Sequence, residues 1–234
     1  NLCSEITLPT GIDKDGRDRT AVCCLSSLNL EKYDEWKDDK NMLNDVMRFL
    51  DNVLSDFINK APEQFSDATY AAERERSVGL GVMGFHSYLQ KNNIPLESVM
   101  SKVWNKKIFK NIQEGVDQAS KDLADERGAC PDAADYGFNE RFSNKTAIAP
   151  TASISVICGG ASPGVEPVAA NSYTHKTLSG SFNVRNRYLV KVLEKYGKNT
   201  DDIWSGITNN QGSVSHLDFL SDIEKDVFKT AFEL

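Results

Sequence analysis

The sequence lacks any apolar run long enough to cross a membrane. Its longest runs, such as residues 154–158, fall far short of the roughly 18 residues that a transmembrane helix needs. Basic residues are also in the minority, with 27 Lys and Arg against 34 Asp and Glu and a formal net charge of −7. This balance argues against a broad surface for nucleic acid or anionic lipid. Because no signal or transit pattern opens the chain either, we expect a soluble cytoplasmic protein that binds neither nucleic acid nor membrane.

Cysteine and histidine are scarce and carry no metal-binding spacing. The five cysteines are odd in number and form no C-x-x-C pair, which argues against a zinc site and against a disulfide scaffold. We therefore predict reduced thiols, with Cys130 and Cys158 as packing residues. The three histidines (His86, His175 and His216) are expected on the surface or in packing contacts, and no metal site is predicted.

What is present is typical of a globular α/β protein, with 40% apolar and 26% charged residues in a chain of 234. Apolar residues at spacings of three and four predict helices, whereas β-rich stretches next to glycine turns predict strands. The predicted helices cover residues 41–60, 71–91, 96–126, 187–196 and 221–232, and the predicted strands cover residues 3–8 and 20–25 with a short one from 145. Strands that alternate with long helices favour an α/β architecture.

The first residues of the chain could carry chemistry. Asn1, Cys3 and Glu5 stand at positions i, i+2 and i+4, so a strand would project all three from one face. A thiol between an amide and a carboxylate suits hydrogen or proton removal from a bound alcohol. The alternative is a buried strand cysteine that acts as a small apolar residue.

Two further stretches are candidates for function. Cys23 and Cys24 are adjacent, so on a strand only one can share a cavity with Cys3, where it could donate electrons by forming a disulfide. Both could equally be core cysteines. Residues 150–154 form a Pro-Thr-Ala-Ser-Ile turn that would expose backbone N–H groups to a phosphate if a helix follows, although Ser and Thr are also common helix caps.

Several motifs together resemble the large catalytic subunit family of ribonucleotide reductase. Residues 1–9, Asn-Leu-Cys-Ser-Glu-Ile-Thr-Leu-Pro, are similar to the finger-loop signature of that family. The other matching stretches are residues 21–29 (redox-cysteine strand), 76–85 (Gly-rich helix), 147–155 (substrate-phosphate turn) and 162–167 (the following loop). Motifs in the same order along almost the whole chain are far more specific than any one of them.

The resemblance implies the second half of a ten-stranded α/β barrel of the ribonucleotide reductase and glycyl-radical type, with residues 1–234 as the C-terminal part of one barrel domain. It implies that Cys3 becomes a thiyl radical that abstracts the ribose 3′-hydrogen, that Glu5 takes the 3′-hydroxyl proton, and that Asn1 binds the reacting hydroxyls. Cys23 would belong to the redox disulfide. The implied substrate-binding residues are Asn1, Leu2, Cys3, Ser4, Glu5, Pro150, Thr151, Ala152, Ser153 and Ile154.

The resemblance also implies partners. No cofactor is expected in this chain, since a metal-containing small subunit would supply the radical, with adenosylcobalamin as the alternative. Thioredoxin or glutaredoxin would be the external reductant, and the substrate would be a ribonucleotide, as the diphosphate. The chain is expected to be a fragment or a split-gene product that needs the upstream half of the subunit. A non-catalytic scaffold of the same fold and a hydrolase with Cys3 as nucleophile are alternatives, although no histidine partner for Cys3 is evident.

Overall fold

The computed structural model describes residues 4–39, 41–178 and 180–234. Its elements, in chain order, are β1 (Gly11–Ile12), β2 (Asp18–Arg19), β3 (Leu25–Asn29), α1 (Tyr33–Trp36), α2 (Met42–Lys60), α3 (Ser66–Glu75), β4 (Gly79–Met83), α4 (Phe85–Lys91), α5 (Val99–Arg127), α6 (Pro131–Asp135), α7 (Ile154–Ile157), β5 (Ser172–Thr177), β6 (Gly180–Arg185), α8 (Arg187–Lys195), α9 (Asp201–Asn209) and α10 (Asp222–Val227). Two short 3₁₀ turns lie at Leu30–Lys32 and Glu63–Phe65.

The chain divides into two compact units. The first unit contains the described residues up to 83 together with 106–151, and the second contains 84–105 and 152–234. Among the helices of the described residues, none is both long and apolar enough to cross a membrane.

Helices α2 and α5 confirm the helices predicted from apolar periodicity over 41–60 and 96–126. α2 buries Leu43, Met47, Leu50 and Leu54 on one face. Gly115 of α5 allows a close approach between the two helices, because a Cβ there would lie 2.1 Å from the Cδ1 atom of Leu43. α5 ends at Arg127, and Gly128 follows with a φ of +87°, the left-handed conformation with which glycine commonly ends a helix.

A parallel β layer forms the centre of the first unit. β3 pairs with β4 in parallel, from Leu25 opposite Gly79 to Asn29 opposite Met83, and Leu80 of β4 forms a parallel bridge with Thr146. The helix predicted over 71–91 is therefore correct only at its ends, where α3 and α4 lie, and wrong in its glycine-containing middle, which forms β4. Every residue of β4 is buried, so the strand shows no polar alternation from which it could be recognised.

The N-terminal strands also differ from the prediction. The described part of 3–8 contains no regular strand, and β3 begins at Leu25, after Cys23 and Cys24. Between the two predicted strands lies a small hairpin, in which β1 pairs antiparallel with β2.

The second unit has its own apolar core. Leu189, Leu193, Trp204, Ile207 and Phe228, all nearly inaccessible to solvent, belong to it. α8 confirms the helix predicted from 187. The last predicted helix does begin after Ser221, which forms a capping box with Glu224. The last helix ends at Val227 rather than Phe232, and the antiparallel hairpin of β5 and β6 was not predicted.

Candidate active site

Glu5 lies beside the segment that leads into the predicted phosphate turn. The Ile148 N–H donates a hydrogen bond to the Glu5 carbonyl oxygen at 3.0 Å, and Ile148 precedes Pro150 by two residues. The Ala147 N–H in turn donates to the Leu80 carbonyl at 3.2 Å. Backbone pairing therefore extends from β4 through residues 145–148 to Glu5, which brings together two motifs separated by more than half of the chain.

The Glu5 side chain faces a cavity of about 430 Å³ in the first unit. Its lining includes Ser4, Gly81, Phe109, Gln113, Asn144 and Thr146. Within the described ranges, the Glu5 Oε2 atom is buried and has no hydrogen-bond partner. Because a buried carboxylate oxygen without a donor is costly, a donor group that reached this atom would stabilise it.

The remaining predicted residues of the N-terminal motif can be located only in part. Asn1, Leu2 and Cys3 lie outside the described residues. Ser4 is exposed, and it lines the same cavity as Glu5.

Asn144 is a site residue that the sequence analysis missed. Its side-chain amide donates to the carbonyl oxygens of Val78 and Thr146, both at 3.0 Å. These bonds hold residues 144–148 against the start of β4. An asparagine just before a short β-rich stretch was the available signal, since its side chain readily bonds nearby backbone groups.

Cys23 and Cys24 occupy different environments directly before β3. Cys23 is exposed, whereas Cys24 is 8% exposed. The Cys24 thiol donates to the Leu50 carbonyl oxygen at 3.8 Å, and burial raises the pKa of this thiol. The structure therefore makes Cys23 the accessible thiol of the pair.

The other two described cysteines give a mixed result. Cys130 is fully buried, as predicted for a packing residue. Cys158 is exposed at the end of α7, so the prediction that it packs in the interior is wrong. The apolar run that it ends forms a single short helical turn with exposed Ile154 and Ile157, not a buried strand.

The predicted phosphate turn contains a residue with a left-handed backbone conformation. Thr151, which is buried, has a φ of +54°, a left-handed conformation that costs a branched residue about 1–3 kcal/mol. α7 follows from Ile154, so the helical alternative for this stretch is correct. The Ser153 side chain forms no cap bond with α7, whereas the buried Ser155 hydroxyl donates to the Ala152 carbonyl at 3.3 Å.

Histidine and acidic side chains form no metal centre in the part of the chain that the structure describes, where no group of three or more His, Cys, Asp or Glu is arranged to hold an ion. His86 of α4 is fully buried, and its Nδ1 atom accepts a hydrogen bond from the Val168 N–H at 3.1 Å. Burial lowers the pKa of His86 to about 4, so the ring is neutral near pH 7.

Comparison with known proteins identifies a single family. The sequence-family model described as the ribonucleotide reductase barrel domain matches residues 1–140 and 132–234 of this chain. The ribonucleoside-diphosphate reductase large subunit of Invertebrate iridescent virus 6 is 49% identical over 99% of this chain and 24% of its own length. A putative large subunit of Frog virus 3 is 42% identical over 100% of this chain and 40% of its own length.

A solved structure of a ribonucleotide reductase subunit is also similar to this chain. The alpha subunit of a class Id ribonucleotide reductase from Actinobacillus ureae aligns with a TM-score of 0.86 and 42% identity, over 98% of this chain and 41% of that one. The chain thus spans between about a quarter and two fifths of the length of these relatives.

Proposed function

Because the chain belongs to the ribonucleotide reductase barrel-domain family, we propose that it forms part of the catalytic barrel of a ribonucleotide reductase large subunit. The reaction is the reduction of ribonucleotides, as diphosphates, to deoxyribonucleotides. We further propose that residues 1–234 belong to one barrel domain of that subunit.

The pairing of Glu5 with Ile148 is the observation that carries this proposal. It places a carboxylate with an unpartnered oxygen beside the segment that enters the Pro150 turn. A general base must lie near the substrate group from which it takes a proton, and a substrate held by its phosphates at the turn would bring its ribose toward such a base. Because the whole chain matches the ribonucleotide reductase barrel family, we interpret Glu5 as the general base of ribonucleotide reduction.

We assign the steps of the proposed reaction to residues of this chain, with one further thiol from the upstream half. A thiyl radical at Cys3 takes the 3′-hydrogen of the ribose, Glu5 takes the proton of the 3′-hydroxyl, and Asn1 binds the hydroxyls while the 2′-hydroxyl leaves as water. Leu2 and Ser4 contact the substrate on the same loop, and Pro150, Thr151, Ala152, Ser153 and Ile154 hold its phosphates. Cys23 and a cysteine of the upstream half supply two electrons and two protons and form a disulfide. One proton leaves with the 2′-hydroxyl as water and the other becomes the new hydrogen at C2′, after which Cys3 returns its hydrogen to C3′ and Glu5 its proton to the 3′-oxygen.

The proposal requires partners. A metal-containing small subunit generates the radical, with adenosylcobalamin as the alternative source, and thioredoxin or glutaredoxin reduces the disulfide between turnovers. The upstream half of the barrel completes the site.

A chimera tests the proposed function. This chain would replace the matching segment of the iridescent virus large subunit, which would be assayed with its small subunit and a dithiol reductant. We expect deoxyribonucleotide formation, loss of turnover in Cys3→Ser with nucleotide binding retained, and slower turnover in Glu5→Gln, because the base is lost while the shape is kept.

Two results would contradict the proposal. One is a folded chimera that binds ribonucleoside diphosphate and does not reduce it. The other is full turnover in the Cys3→Ser chimera, since a serine hydroxyl cannot replace the thiyl radical. Joint loss of binding and turnover in Cys3→Ser would indicate a structural cysteine instead.

A further inference from the structure

A buried carboxylate holds three arginines in the first unit. Asp51 of α2 is inaccessible to solvent. Its oxygens accept hydrogen bonds from Arg76 Nε at 2.8 Å, Arg127 Nη1 at 2.8 Å and Arg141 Nε at 3.0 Å. We refer to these four residues as the Asp51 cluster.

Each arginine makes further bonds that fix its direction. Arg76 also donates to the Asp51 backbone carbonyl at 2.9 Å and to the Ser55 hydroxyl at 2.6 Å. Arg141 donates to the carbonyl oxygens of Arg127 and Gly128 at 3.2 and 2.9 Å. A guanidinium with several acceptors around it is held in one orientation, so the cluster defines the relative positions of the segments that carry its members.

These segments lead directly into the central β layer. Arg76 caps α3 in a left-handed conformation, with φ of +44°, three residues before β4 begins. Arg141 lies three residues before Asn144, whose carbonyl oxygen accepts a hydrogen bond from the Val78 N–H at 2.9 Å. The Asp51 carboxylate therefore holds both Arg76, which leads into β4, and Arg141, which leads into residues 144–148.

The segment directly before β3 is connected to α2 and β4 through Cys24. The Cys24 thiol donates to the carbonyl oxygen of Leu50, the residue before Asp51. Its own carbonyl oxygen accepts a hydrogen bond from the Gly79 N–H, the first residue of β4, at 2.9 Å. Cys24 is thus held from α2 on one side and from β4 on the other, and the exposed Cys23 is its immediate neighbour in the chain.

Stability alone is a poor explanation for this cluster. Burying charges costs desolvation energy, and apolar residues of similar volume often stabilise a protein as well as a buried ion pair does. Apolar contacts, however, do not fix the orientation of neighbouring groups as directional hydrogen bonds do. Three guanidinium groups around one carboxylate permit essentially one arrangement of α2, the start of β4 and residues 141–144.

We propose that Asp51 is a positioning residue for the Cys23–Cys24 pair: through Arg76 and Leu50 it holds Cys24 from both sides, and Cys24 in turn holds its chain neighbour Cys23. This inference rests on the proposed role of Cys23 as the redox thiol. In this arrangement Cys24 is the anchor and Cys23 the reactive neighbour, so the accessible thiol keeps one orientation although it lies outside any regular strand.

Thiol labelling of the 234-residue chain tests the proposal without enzyme activity. Each cysteine is followed separately by peptide mass spectrometry during reaction with N-ethylmaleimide. In the parent chain, Cys23 and Cys158 should react quickly and Cys24 slowly. In Asp51→Asn, we expect Cys24 to react about tenfold faster, as when local opening becomes about 1.4 kcal/mol easier, with the Cys158 rate unchanged.

Rescue by a conservative variant tests whether the carboxylate itself is needed. Asp51→Glu keeps the carboxylate and should restore most of the protection of Cys24, whereas Asp51→Leu, which leaves the three arginines without their acceptor, should not restore it. Arg48→Gln is the matched control, because Arg48 lies on the same helix and pairs with Glu126 rather than with Asp51. It should label like the parent chain.

Unchanged Cys24 labelling in Asp51→Asn would overturn the proposal, as would equal protection in Asp51→Leu and in the parent chain. If Asp51→Asn unfolds, Ser55→Ala decides the question, because it removes only one acceptor of Arg76. Faster Cys24 labelling in Ser55→Ala then supports the proposal, and parental labelling refutes it. An inactive chimera would refute the proposed function and leave these labelling results standing.

Discussion

At the scale of single residues, the different surroundings of two adjacent cysteines give their thiols different accessibility. Cys24 is buried against a backbone carbonyl, and its pKa is raised by burial. A thiolate is the nucleophile in disulfide exchange, so this environment keeps Cys24 unreactive. Cys23 is exposed and therefore accessible to a disulfide partner. The adjacency in the sequence predicted that the two differ, but only the fold assigns which one is buried.

Replacement of each cysteine in the chimera should therefore give opposite results. Cys23→Ser should block multiple turnover, because the disulfide can no longer form and be reduced. Cys24→Ser should retain turnover, because Cys24 is buried and is not the thiol that takes part in the exchange. Disulfide mapping after one turnover checks the assignment, and a bridge that starts from Cys24 would show it to be wrong.

The Asp51 cluster illustrates what sequence inspection could and could not find. Asp51 follows Leu50 on the apolar face of α2, and a lone acid on an apolar stripe is a visible signal of a buried partner. Its partners Arg76, Arg127 and Arg141 are far away in the sequence and on other elements. Only the tertiary structure brings them to one carboxylate.

At the scale of elements, periodicity predicts the helices well and the central strands poorly. α2, α5 and α8 each have one apolar face, which gives a pattern of three and four. β4 is buried on both faces and contains Gly79 and Gly81, so it has neither alternation nor β-branched enrichment apart from Val82. The glycines are needed because neighbouring segments approach closely: a Cβ on Gly81 would lie 2.7 Å from the Ala147 carbonyl oxygen.

The close approach at Gly81 predicts a measurable cost. Gly81→Ala should destabilise the chain by about 1–3 kcal/mol, because a backbone oxygen cannot move aside as a side chain can. Gly206→Ala in α9 is the matched control, since its Cβ would only reach the His216 ring at 3.4 Å and alanine favours helix. Urea unfolding midpoints test both, and an equal or higher midpoint for Gly81→Ala would contradict the contact.

At the scale of the whole molecule, both units have apolar cores, but they bury different ionisable groups. The first unit contains the Asp51 cluster and a second ion network in which Arg19, 7% exposed, pairs with Asp13 and Asp132. The second unit contains the buried neutral His86. Composition could not reveal this division, because net charge carries no information about which charges become buried.

His86 makes the stability of the second unit depend on pH. Its pKa is about 4 in the folded chain and about 6.5 when unfolded, so unfolding takes up a proton between these values. The contribution of the neutral ring is complete above pH 6.5 and is lost as the pH falls toward 4. We expect the second unit to lose about 2 kcal/mol between pH 7 and pH 5.

This loss can be followed by fluorescence in a Trp36→Phe background, because the remaining two of the three tryptophans, Trp104 and Trp204, both belong to the second unit. His86→Gln, which cannot titrate, should be less stable at pH 7 yet nearly constant down to pH 5. The paired carboxylates of the first unit, Asp13 and Asp132, have lowered pKa values and therefore lose their contribution only in stronger acid. An identical decline in the parent chain and in His86→Gln would assign the pH dependence to another group.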